Sequence, residues 1–298
     1  MMKKVTSLIL ILGVCVCLLS GCRLPFGSSS GLSDIRYEDA ERYTAGGASL
    51  TDTVERVKID WVSGSVRVTS HAGDTVEFAE EANRGLNDDT SLYYWLDGTT
   101  LRIKFCRSGK WSLSGLEKDL TLYLPEELAL KELEVDGVSA ELEAAAVRAE
   151  ELKLETVSGG IRVTDCSVAK EAELFSVSGS IDAGLPGTLE ELKTDTVSGR
   201  VTVSAGEILS VRGGSTSGGL SFSLSNAPRS LEVDTVSGSV ELYLPEDAGF
   251  TLRFSTVSGE LSSDLPCRPD GKEYVCGDGA GDYSIGTTSG DVTIRAVR

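Results

Sequence analysis

Aromatic residues make up only 6% of the sequence, methionine occurs twice, proline seven times and histidine once. Bulky, adaptable core fillers are therefore scarce, which argues against a helical bundle packed on large side chains. With His71 as the one imidazole and no Cys-x-x-Cys anywhere, neither a metal nor another cofactor is expected. Lys and Arg number 28 against 46 Asp and Glu, a net charge of −18. That shortage of positive charge excludes nucleic acid as a partner and makes peripheral adhesion to anionic lipid unfavourable. Long apolar runs are missing too. The longest, Leu8 to Leu19, falls short of the about 20 residues a membrane-spanning helix needs.

That short run has a specific setting. It follows Lys3 and Lys4 and ends in Leu19-Ser20-Gly21-Cys22, the layout of a secretory signal with a small-residue exit. The last four residues resemble the bacterial lipobox. That resemblance implies a diacylglycerol thioether on Cys22, cleavage just before it, and a lipid-anchored location outside the cytoplasm. Two acyl chains, at about 0.8 kcal/mol per buried CH₂, hold a protein far more firmly than one. Loss of Lys3 and Lys4 with the signal takes the mature charge to −20.

Glycine, at 33 residues, is the abundant turn former. Much of it sits in a repeat. Val-Ser-Gly corners occur at Ser63-Gly64, Ser158-Gly159, Ser178-Gly179, Ser198-Gly199, Ser237-Gly238 and Ser258-Gly259. Thr-Ser-Gly replaces it at Ser217-Gly218 and Ser289-Gly290, and Val138-Ser139-Ala140 is a degenerate copy. From Ser139 to Ser258 the serines step by 19, 20, 20, 19, 20 and 21 residues. Between corners, apolar residues alternate, as in Leu231-x-Val233-x-Thr235 and Val240-x-Leu242-x-Leu244, the period of strands with one buried face. The inward set changes from odd to even numbers at Val236, so the chain must bend there, with the motif valine facing in.

Units of about 20 residues cannot bury a face alone and must stack. The fold expected is all-β, a single-stranded β-solenoid of about 20-residue coils. Its organisation would be a signal peptide over 1–21, the lipidated cysteine and a flexible tether over 22–50, and the repeat domain over 51–298. Within the tether, 34–43 reads as a short helix or an extended lead-in. An irregular region at 74–115 contains a hairpin about Asp97-Gly98, either a cap for the first coil or an inserted arm. A loop at 265–282 is inserted near the C-terminus.

The Leu-x-Val-x-Thr-Val-Ser-Gly-x-Val repeats, ending in Tyr283 to Val292, resemble the bacterial adhesin-like family of β-strand-repeat envelope proteins, a domain of unknown function, from about Val57 to the C-terminus. The resemblance implies an extracytoplasmic interaction module and supplies no active-site residues.

The remaining candidates are modest. Cys267 and Cys276 flank a Pro-Asp-Gly turn that could bring them within bonding range. Cys106 and Cys166 read as small hydrophobes or free thiols. Residues 277–282, Gly-Asp-Gly-Ala-Gly-Asp, read as a turn rather than one copy of a calcium-binding array. The corner serines recur in every coil and so read as structure, not as nucleophiles. Acidic residues, such as Glu126-Glu127 and Glu150-Glu151, alternate with apolar ones and show no evident common face. The expectation is a non-catalytic binding module whose partner is an envelope protein or glycan. A structural or sensory partner in envelope stress is the alternative, and a polysaccharide-active enzyme is disfavoured.

Overall fold

A computed structural model describes residues 36–109 and 115–297. Cys22, the signal peptide and the first part of the tether lie outside the described residues. The chain is a β-solenoid in which each coil contributes one strand to each of two facing sheets. In the second sheet Ile161 pairs with Ile181, Ile181 with Val201, Val201 with Leu220 and Leu220 with Val240, all in parallel. In the first, Leu154 pairs with Leu174, Leu174 with Thr194 and Thr194 with Gly213. A step of about 20 residues per coil thus stacks like positions, and the small and branched residues turned inward fill the space between the sheets. Where one is missing, its opposite grows: a β-carbon on Gly213 would lie 2.8 Å from the ring of Phe222.

The stack does not follow chain order at its ends. The strand Arg56–His71 pairs on one side with Ala129–Ala145, Ser63 opposite Ser139. On its other side lie Thr100–Lys104 and Lys118–Pro125. The residues between Ser63 and Ser139 are therefore an excursion that covers the outer edge of the first coil and then returns beneath it. Within that excursion Tyr93–Asp97 and Thr100–Lys104 form an antiparallel hairpin, and Val76–Ala82 pairs antiparallel with Lys118–Pro125.

The C-terminus repeats the device. Gly281–Gly286 slots between Ser230–Thr235 and Phe250–Ser255. Val292–Val297 likewise slots between Val240–Pro245 and Leu261–Ser263. The last coil in sequence is thus the second last in space. An antiparallel hairpin, Cys267–Asp270 and Glu273–Cys276, closes the first sheet's edge against Phe250–Ser255, with Cys267 and Cys276 joined as a disulfide. Unpaired edges invite aggregation, and the excursion at one end and this hairpin at the other cover edges of the stack, while the second sheet ends on the short strand Leu261–Ser263.

Two expectations need correction. Residues 36–50 belong to the folded domain and not to the tether: Thr44–Ala45 and Ala48–Leu50 pair with the cap, and Ala40–Arg42 form a 3-10 turn. The cause is aromatic burial that a tether lacks, since Tyr43 lies against Tyr37 and Trp95 at 4.7 and 5.6 Å. The second concerns the motif valine. Val138 and Val157 are 39% exposed and Val236 is 40% exposed, so the valine of the stacked coils faces out, while Val62 of the first corner is buried.

The cap is pinned by a buried cation. Lys118 is wholly buried, its ammonium paired with Glu80 at 2.6 Å and donating to the carbonyls of Thr90 and Phe105. The rings of Phe105 and Trp61 stand 4.2 and 4.9 Å from it, and Trp61 donates its indole N–H to the Lys118 carbonyl.

Candidate functional site

The sequence singles out the corners, and the structure stacks them into one rib. Their serine hydroxyls donate to carbonyls of the neighbouring coil: Ser178 to Val157 at 3.2 Å, Ser217 to Val197 at 3.3 Å, Ser237 to Thr216 at 3.2 Å and Ser258 to Thr288 at 3.4 Å. Ser158 reaches Val138 and Ser139, and Ser63 reaches Leu116. What faces inward is the residue before the valine. Its hydroxyl accepts the glycine N–H three residues on, from Gly199 to Thr196, Gly218 to Ser215, Gly238 to Thr235 and Gly290 to Thr287, at 2.7–2.9 Å. Gly159, Gly179 and Gly259 do the same with Thr156, Ser176 and Thr256. These corner hydroxyls are committed to the backbone. The ring of His71 bonds the Thr75 carbonyl at 2.8 Å, and eight extended residues, about 26 Å, separate it from Ser63. No serine–histidine pair forms between them.

The outer face of the first sheet holds a feature that strand alternation hid. Counting three residues back from the corner serines between Ser63 and Ser237 gives Asp60, Asp136, Glu155, Phe175, Asp195, Gly214 and Asp234, which are paired neighbours on adjacent strands. Counting seven back gives Glu132, Glu151, Glu171 and Glu191. Between these acidic rows, five back, runs a mixed row of Lys58, Glu134, Lys153, Glu173 and Lys193. Lys58 pairs with Glu132 and Glu134, Lys153 with Glu134 and Glu155, and Lys193 with Glu171 and Glu191.

Carboxylates outnumber the cations that reach them. In the row nearest the corners, Asp60 pairs with Lys104, but Asp136 and Asp195 have no hydrogen bond or ion pair among the described residues. Glu155 pairs through one oxygen with Lys153 at 3.0 Å, while its other oxygen is buried without a partner. Burial, then repulsion from Asp60, Glu134 and Glu155 outweighing Lys153, pushes the Asp136 carboxyl up to about 7. Burial also raises Glu155 and Asp195.

The sign of the stability effect follows. Between the ordinary aspartate range near 4 and about pH 7 the folded chain holds a proton at Asp136 that the unfolded chain has lost, so stability falls as pH rises through that window. Above it the cost is present in full. Asp136→Asn should therefore raise stability by about 2 kcal/mol near pH 8, allowing for solvent screening of this partly exposed group, and by almost nothing near pH 4. Thermal melts of both proteins across that range measure it; an equal gain at both ends would remove the electrostatic cause.

The other sequence candidates are scattered. The Cys267–Cys276 disulfide lies in the terminal hairpin, Cys166 is a buried free thiol, and the half-buried Cys106 directs its thiol at the Arg107 carbonyl. Residues 277–280 form a tight turn, with Gly277 and Gly279 at positive φ and the Asp278 carboxylate accepting the Ala280 N–H. Among the described residues no helix is long and apolar enough to cross a membrane.

A family model described as Toastrack DUF4097 matches residues 51–295. A candidate adhesin from Bacteroides fragilis is similar in structure at 13% identity, over 86% of this chain and 98% of that one, with a TM-score of 0.44. A candidate adhesin from Parabacteroides merdae is similar at 12% identity over 89% and 100%, with a TM-score of 0.44. For a candidate lipid-binding protein from Parabacteroides distasonis the values are 15%, 85%, 96% and 0.43. A comparison with curated proteins finds no match.

Proposed function

The chain belongs to the Toastrack DUF4097 family, a domain of unknown function, and from that premise we propose that it is a non-catalytic binding module, held on the outer face of a membrane by diacylglycerol on Cys22. The observation that carries the binding reading is the outer face of the first sheet. The hydroxyls of Ser63, Ser158, Ser178, Ser217, Ser237 and Ser258 bond within the fold, whereas among the described residues Asp136, Asp195 and one oxygen of Glu155 have no partner. Charged groups left over on a rigid stack are what a contact surface requires, because their positions are fixed before a partner arrives.

The anchoring reading is supported by Lys3 and Lys4, the short apolar run and Leu19-Ser20-Gly21-Cys22. From Cys22 to Tyr37 the chain spans at most about 50 Å when extended, and it enters the fold at the capped end. The opposite end, with the Cys267–Cys276 hairpin, would then face away from the membrane.

Growth of cells on labelled fatty acid tests the anchor. The wild-type chain should carry label and sediment with membranes, and Cys22→Ala should lose both. Membrane retention of an unlabelled Cys22→Ala chain, with no label on the wild type, would end the proposal.

A further inference from the structure

The end of the stack that carries the disulfide hairpin is not level. The first sheet continues past Phe250–Ser255 through both hairpin strands, whereas the second stops at Leu261–Ser263, so the end is a step two strands, about 10 Å, high. Core positions lie open on the lower level of that step. Phe254 and Leu261 pair with the buried Ile285 and Val292, yet both are only half-buried. Thr256 is exposed, although Thr235 and Thr287 at the same place in the two coils beneath are buried, and Val257 is 82% exposed against 40% for Val236. We propose that this end joins a second copy of the chain about a two-fold axis, the overhang of each copy covering the open coil of the other. This contact surface is distinct from the outer acidic face, and only the direction in which the pair points rests on the anchor at Cys22.

The step is its own complement. A two-fold axis along the strands brings the long sheet of one copy into line with the short sheet of the other, so each two-strand overhang fills the two-strand deficit opposite. Because a coil reverses direction between its two sheets, the strands that meet are antiparallel: Leu261–Ser263 of one copy against Cys267 to Pro269 of the other. Their backbone groups match. The Glu260 carbonyl and the Asp264 N–H bond to Val292 and Ile294, so by alternation the groups of Leu261 and Ser263 face the free edge. Cys267 and Cys276, 4.2 Å apart at Cα, have the spacing of a non-hydrogen-bonded pair, so Cys267 and Pro269 turn their groups to the free edge of the hairpin. Proline removes one donor and keeps its carbonyl, which leaves about three backbone bonds at each of the two junctions.

Charge agrees with that register. With Leu261 opposite Pro269 and Ser263 opposite Cys267, inward side chains stay inward, and the exposed Arg268 stands diagonally, at about 7–8 Å or less, from Glu260 and Asp264 of the other copy. Asp270 opposite Glu260 is the one like-charged pair, and it lies two residues from Lys272. Within the hairpin Arg268 and Lys272 balance Asp270 and Glu273, so in a chain of net charge −18 this end is where two copies repel least. Two sheets about 10 Å apart with strands about 20 Å long, plus the overhang, give roughly 500 Å² on each copy. About 1,000 Å² in all is the low end of specific interfaces, so the dimer expected is a reversible one with Kd of roughly 10 μM. With the anchor at the capped end, such a pair points its two lipids in opposite directions, as a contact between facing membranes does.

The test is sedimentation equilibrium of the full mature chain in density-matched non-ionic detergent with micelles in excess, over about 1–100 μM protein. A monomer–dimer equilibrium should appear. Arg268→Glu should weaken it by about tenfold or more, because the two-fold axis repeats the reversed contact, and adding Glu260→Lys and Asp264→Lys to that variant should restore it to within about threefold. Arg200→Glu, the same reversal at an exposed site midway along the stack, should change it less than about twofold. Melting temperatures confirm that each variant is folded. Monomer alone at the highest concentration, a dimer that Arg268→Glu leaves intact, or growth past the dimer, which a self-closing step forbids, would overturn the proposal. The contact uses neither the lipid nor the outer acidic face, so its failure and a failure of the Cys22 labelling experiment are read separately.

Discussion

Gly199→Ala should lower the stability of the stack by about 3 kcal/mol, near the upper end for an overpacked interior, whereas Val236→Ala should cost under ~0.5 kcal/mol. The contrast separates two residues of the same motif. A β-carbon on Gly199 would fall on the carbonyl oxygen of Gly179, the corner glycine of the coil before, and Gly218 and Gly238 rest in the same way on Gly199 and Gly218. Neither side of this contact is a flexible side chain, so the coils themselves must part. Among the corner glycines only Gly64 has a positive φ; the others are glycine because the backbones touch. The motif valine, by contrast, is exposed and can be trimmed. Thr235→Val falls between them at about 1 kcal/mol, since it removes the acceptor of the Gly238 N–H while keeping the shape. Urea titrations of the three variants give the ranking directly. A Val236→Ala loss exceeding that of Gly199→Ala would mean that the rib is held by its valines and not by its glycines.

Lys118→Ala should be worse still, by 3–5 kcal/mol or about 10 °C in melting temperature. It leaves the Glu80 carboxylate and the carbonyls of Thr90 and Phe105 without their cation in a site closed to water. Burial lowers the Lys118 pKa despite Glu80, so the ion pair is costly to assemble and costlier to break. The double variant Lys118→Met, Glu80→Gln removes both charges at similar volume and should recover much of the loss. Because the pair joins Val76–Ala82 to Lys118–Pro125 within the cap, Lys118→Ala should also speed hydrogen exchange in Val76–Ala82 before it affects Val201–Ala205. A loss under ~1 kcal/mol would show that the cap is held by its backbone pairing alone.

How far the sequence foretold this depends on whether the information is local. The coil length, the corners and the hairpin at Asp97-Gly98 are written in nearby residues, so all could be read. The order of the terminal coils could not, because nothing in the pattern around Ser63 says that its neighbour is Ser139 or that Ser289 lies between Ser237 and Ser258. Its apolar side chain marks the motif valine for the interior, yet a threonine that accepts the Gly238 N–H has the stronger claim to it. The acidic rows were missed for another reason. Paired outward residues at Glu150-Glu151, Lys170-Glu171 and Glu190-Glu191 break the alternation, with a register shift between Val168 and Glu171. Counting back from the corner serines restores the rows without any structure, because the bulges lie upstream of the positions that matter.

The account rests on carboxylates on the outer face of the first sheet that lack partners among the described residues. Titration of ¹³C-labelled aspartate side chains, followed at the carboxyl carbon of Asp136 and assigned by Asp136→Asn, tests that most directly. The crowding of Asp60, Glu134 and Glu155 predicts a midpoint pushed up to about 7. A midpoint in the ordinary aspartate range near 4 would contradict it, and would leave this as one more solvated face of the stack.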